Sequence, residues 1–87
     1  MTEINIIELN SSTFQVTVIA QASTTHTITV QVDYARKLTA GKITVEQLLR
    51  KSFEFLLQHE SNTSILRSFD LSVIARYFPE YELEIST

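Results

Sequence analysis

The hydrophobic pattern of this chain changes period once, near residue 33, and that change constrains the fold more than any motif does. Upstream, Phe14, Val16, Val18 and Ala20 alternate with Gln15, Thr17, Ile19 and Gln21. His26, Ile28, Val30 and Val32 alternate in the same way with Thr27, Thr29, Gln31 and Asp33. Period two with β-branched residues is the pattern of strands that bury one face. A weaker first strand places Ile4, Ile6 and Glu8 on one face and Ile7 and Leu9 on the other. The connections, Asn10-Ser11-Ser12 and Ala22-Ser23-Thr24-Thr25, are short and polar. Short connections predict a three-stranded antiparallel meander over about residues 2–9, 13–21 and 25–32. Its second face, rich in Thr and Gln, suits water.

Downstream the spacing is helical. Asp33 is placed to cap a short helix over about residues 34–39. That helix stops before Gly41, which takes a positive φ without a Cβ clash. Thr44-Val45-Glu46-Gln47 has the spacing of a capping box and opens a helix over about residues 45–59. Val45, Leu48, Leu49, Phe53, Leu56 and Leu57, with Ser52 among them, fall on one helical stripe. Phe55 widens that stripe past half the circumference, so the helix needs cover on a second side. The stretch SFDLSVIARYFPEYE, Ser68 to Glu82, is the candidate cover. Ile65, Leu66 and Phe69 read as a turn or short helix. Asp70 is placed to cap a helix over about residues 71–77, with Leu71, Ile74, Ala75 and Phe78 inward. Pro79 ends it, because the residue before a proline avoids the α region. Tyr81, Leu83 and Ile85 then alternate with Glu80, Glu82 and Glu84, which reads as a strand by period or as a last helical turn opened by Pro79. The expected fold is α+β, the helices packed on one face of the meander, in one domain of 87 residues.

Several chemistries lack their residues. There are no cysteines, which excludes disulfides and thiolate chemistry. No apolar run approaches the ~18 residues of a membrane span, and the acidic N-terminus does not resemble a secretory signal. These features read as cytoplasmic. The two histidines, His26 and His59, lie on different elements. His26 reads as a satisfied, partly buried residue, and His59 as a helix-end residue favoured by the dipole. Ser52 reads as a small-residue contact or a bond to the i−4 carbonyl. Glu80, Glu82 and Glu84 read as a solvated acidic face. One glycine cannot build a phosphate cradle. No cofactor, metal or catalytic set is expected; a small enzyme would need a pocket lined by His26, Tyr34 or Asp70.

What remains is interaction. The net charge is −3, and all seven basic residues lie between Arg36 and Arg76. Arg36, Lys37, Lys42, Arg50 and Lys51 would contact phosphates if they converged, but no aromatic residues interleave with them for base stacking. Nucleic-acid binding is therefore the second reading. The first is a non-catalytic interaction or regulatory protein, such as an antitoxin-like or accessory member of a small operon. A homodimer or a dedicated partner is expected, because the edge strands lack the Lys and Pro that guard against pairing. Ile7, Leu9 and Ile19 are candidate contacts on the sheet. Arg76, Tyr77 and Tyr81 are candidates on the C-terminal stretch, since Tyr and Arg are enriched among interface anchors.

The run ESNTSILRSFDLSVIARYFPEYE, Glu60 to Glu82, resembles the C-terminus of small uncharacterised bacterial proteins with a SILRSFDLSVIxxYFPEYE-like ending. ITVEQLLRKSFEFLL, Ile43 to Leu57, is similar to the helix that precedes it in them. The resemblance covers the second half of the chain. It implies a bacterial, cytoplasmic origin and brings no catalytic or binding residues with it.

Overall fold

The computed structural model describes residues 2–86. It is an α+β fold that opens with an antiparallel meander of β1 (Glu3–Asn10), β2 (Thr13–Ile19) and β3 (Thr24–Thr29). Ile4 lies opposite Val18, Val16 opposite His26, and Phe14 opposite Ile28. Their shared face is buried, as the alternation requires. The first turn is fixed by the Asn10 side-chain oxygen, which accepts from the Ser12 amide at 3.0 Å.

The third strand ends earlier than its alternation predicts. The Val30 amide donates to the Ser12 carbonyl at 2.8 Å, and the chain then enters α1 (Val32–Thr39). Val32 therefore lies on a helix and is 58% exposed. Asp33 is not the cap. Gln31 holds that position without a side-chain bond to the helix amides, and Asp33 sits in the first turn, where a carboxylate is favoured by the positive end of the dipole. α2 (Val45–His59) starts on the expected capping box: the Thr44 hydroxyl accepts from the Gln47 amide, and the Gln47 side chain accepts from the Thr44 amide at 2.8 Å.

The sheet has a fourth strand. After a 3-10 turn at Asn62–Ser64, β4 (Ser68–Asp70) pairs in parallel with β3, giving the order β1-β2-β3-β4. Thr27 donates to the Arg67 carbonyl at 2.7 Å and Leu71 to the Thr29 carbonyl at 2.9 Å. A parallel neighbour requires a crossover, and α1 and α2 form it. The meander's second edge is thus covered, leaving β1 as the long open edge. There the Arg50 guanidinium donates to the Ile4 carbonyl at 2.8 Å.

The C-terminal stretch covers α2 in two short helices. α3 (Val73–Tyr77) begins two residues later than predicted. The Asp70 carboxylate accepts from both the amide (3.0 Å) and the hydroxyl (2.8 Å) of Ser72, so residues 71 and 72 form a turn rather than a helical start. Beyond Pro79 the chain is helical, α4 (Tyr81–Ser86). Tyr81 and Ile85, four apart, are buried, while Leu83 is 70% exposed. The alternation of the last residues was therefore not that of a strand.

α2 is buried from two sides. Phe53 packs near His26 (ring centroids 5.4 Å) and Phe69 (6.4 Å), residues of the sheet. Phe55 packs edge-on to Phe78 at 5.6 Å and against Tyr81 at 5.4 Å. Burying a side chain of this size contributes about 1.5–3 kcal/mol. Among the described residues, no helix is long and apolar enough to cross a membrane.

The end of α1 holds a conformational cost. Ala40 has φ 52°, in the left-handed region, and Gly41 follows at φ 73°. An L-residue there loses about 1 kcal/mol relative to glycine. Ala40→Gly should stabilise the protein by about 0.5–1 kcal/mol, and Ala40→Val should destabilise it, as read by urea denaturation.

Candidate functional site

The last turn of α2, the connection that follows it, β4 and α3 enclose an open cavity of about 400 Å³. Leu56, Ile65, Phe69, Val73, Ile74 and Phe78 form its apolar wall. Leu66 and Tyr77 also line it, yet are 51% and 68% exposed, which places them at its mouth. Ser64 and Glu60 complete the lining. Glu60 is the only charged side chain in it, and its carboxylate makes no hydrogen bond or ion pair with the described residues.

A buried polar chain holds this wall in place. His26 Nδ1 lies 2.7 Å from the Leu66 carbonyl. A carbonyl only accepts, so Nδ1 carries the proton. In the neutral ring Nε2 then accepts from the Thr24 hydroxyl at 2.8 Å. Thr24 in turn accepts from the Asn62 side-chain amide at 2.9 Å, which also donates to the Ala22 carbonyl at 2.7 Å. The 3-10 turn and Leu66 are thereby tied to the β2–β3 connection. Asn62→Ala should cost about 1–2 kcal/mol in urea denaturation, because it removes both bonds by which a buried side chain ties the 3-10 turn to the β2–β3 connection.

A second polar pair sits on the far side of α2. The Ser52 hydroxyl donates to the Leu48 carbonyl at 2.7 Å, so the Tyr81 hydroxyl, 2.6 Å away, donates to Ser52. Tyr81 is fully buried and is a core residue, not the surface anchor its sequence position suggested. Burial pushes its phenol up to about 12. Nearby, the Tyr34 hydroxyl donates to Glu82 at 2.7 Å, and Lys37 pairs with the same carboxylate at 3.5 Å. Burial and this bond raise the Tyr34 phenol, while the Tyr34 bond holds Glu82 below the ordinary carboxylate range. Above pH 10 an unfolded tyrosine releases its proton while the folded one retains it. The unfolded state then binds fewer protons, so stability falls as pH rises. Stability should decline between pH 10 and 12, and Tyr81→Phe should flatten that decline, measured by denaturant titration at stepped pH.

The other residues singled out in the sequence are dispersed. Ile7 and Leu9 are exposed two residues apart on β1. Ile19 is exposed too, but lies opposite Glu3, with the Asn5–Thr17 pair between it and the Ile7–Gln15 pair. These three do not form one patch. Arg76 is exposed on α3 beside Tyr77. Among the basic residues, Lys37 is paired with Glu82, Arg50 is drawn to β1, and Lys51 donates to the Ile85 carbonyl at 3.4 Å. Arg36 lines a separate cavity of about 200 Å³ beside Gly41, and Lys42 is exposed. His59 stacks on Phe78 at 4.8 Å. Neither cavity is lined by His26, Tyr34 or Asp70. No cluster of His, Asp and Glu suited to a metal occurs among the described residues.

The sequence reading missed Leu66 and Glu60. Leu66 was visible as a large apolar residue in a polar connection, off the helical stripes. Glu60 carried no signal beyond its place at a helix end. Comparisons with protein families, with characterised proteins and with solved structures return no match.

Proposed function

We propose that this is a non-catalytic interaction protein and that the groove between α2 and α3 receives a segment of a protein partner. The exposed pair Leu66 and Tyr77 at the mouth of an apolar cavity supports this reading most directly. A small molecule seated inside would leave both in water. A polypeptide segment would cover them while inserting an apolar side chain between them, as in helix-in-groove recognition. Tyrosine at such a rim is a common anchor, large and cheap to order. Nucleic-acid binding through Arg36, Lys37, Lys42, Arg50 and Lys51 draws less support, since three of the five are engaged within the chain.

Peptides selected from a displayed random library on the wild-type protein test the reading. Their affinity for Tyr77→Asp and Leu66→Asp should fall at least about ten-fold, the usual scale of a hot-spot loss. Both side chains are exposed, so the melting temperature should stay near that of the wild type. Selected peptides that bind the variants as well as the wild type would refute the groove as the docking surface.

A further inference from the structure

We infer that the partner segment carries a lysine or arginine beside its apolar anchors, and that the carboxylate of Glu60 recognises it. This inference rests on the groove being a protein-docking surface, and it specifies the partner's chemistry. Among the described residues, Glu60 is the only charged side chain in a wall otherwise built of Leu, Ile, Val and Phe, with one serine and one tyrosine. Arg67 and Arg76 adjoin Leu66 and Tyr77 in sequence but lie outside the lining. A cation entering the groove therefore meets a carboxylate and no competing positive charge from the wall.

The position of Glu60 strengthens the case. It is the C-cap of the fifteen-residue α2, its amide donating to the Leu56 carbonyl at 3.0 Å. The final carbonyls of a helix give that end a partial negative charge. A carboxylate at this end opposes the dipole and so gains nothing for the helix. Among the described residues it also has no hydrogen-bond or ion-pair partner to offset that cost. The same geometry suits a bound cation, which the carboxylate and the helix end attract together. Glu60 is half-buried, and a partner covering Leu66 and Tyr77 would exclude more water. The pair would then interact more strongly than one left on an open surface.

Library selection on the wild type and on Glu60→Lys, with affinities measured for Glu60→Gln and Tyr77→Asp, decides the matter. On the wild type, enriched peptides should combine large apolar residues with a flanking Lys or Arg, and their binding should weaken as salt rises. Glu60→Gln should reduce their affinity roughly two- to five-fold, the range of a partly exposed ion pair. On Glu60→Lys, selection should enrich Asp or Glu in place of the basic residue. Both Glu60 variants should melt at or above the wild-type temperature, since each removes the unfavourable charge at the helix end. Wild-type peptides that lack a basic preference, yet lose affinity for Tyr77→Asp, would overturn the role of Glu60 and leave the groove standing. Peptides indifferent to Tyr77→Asp would overturn both.

Discussion

The two-sided burial of α2 is the constraint on which the rest of the structure depends. Phe53 and Phe55 are only two residues apart and so face different ways around the helix. One packs with the sheet residues His26 and Phe69, the other with Phe78 and Tyr81 from the C-terminal helices. A helix with this much apolar surface cannot rest on a sheet with its other side in water. The C-terminal stretch must therefore return across it, and Ser52, small enough to admit the Tyr81 hydroxyl, marks where it does so. The buried hydroxyl pair is fully satisfied through Leu48, so its burial leaves no unpaired polar atom.

The groove follows from that return. From the end of α2 the chain must reach the edge of β3 and then come back as α3. The connection is held at the sheet by Asn62, Thr24 and His26, and the Asp70–Ser72 turn starts the path back. Too few residues are involved to fill the corner between these elements. Leu56, Ile65, Phe69, Ile74 and Phe78 consequently line a concavity instead of closing on one another. The wall is tied to the sheet by the polar chain at one end and is apolar across the rest of its lining.

Local patterns were legible wherever one residue's neighbours in sequence decide its environment. The alternation of Phe14, Val16 and Val18, the Thr44–Gln47 capping box and the stop before Pro79 all depend on contacts within a few positions. Val32 and Leu83 show the limit of that legibility. Each continued an apparent period of two, and each lies exposed on a helix, because two or three alternating residues also satisfy a helical turn. The candidate site was less legible still. Tyr77 was visible as an exposed aromatic residue, but Glu60 and Leu66 acquire a role only through what lies across the cavity from them.

By itself, the sequence determined the meander, the long capped helix and the need to cover it twice, since backbone periodicity and side-chain solvation act over short spans. Tertiary structure alone decided that Ser68–Asp70 is a strand, that Tyr81 is core, and where the groove lies. β4 is too short to persist without the free edge of β3, roughly forty residues upstream. Tyr81 can be buried because a hydroxyl 29 positions earlier accepts its hydrogen bond. The groove is the space left between elements that are distant in the chain, and no local pattern records a space.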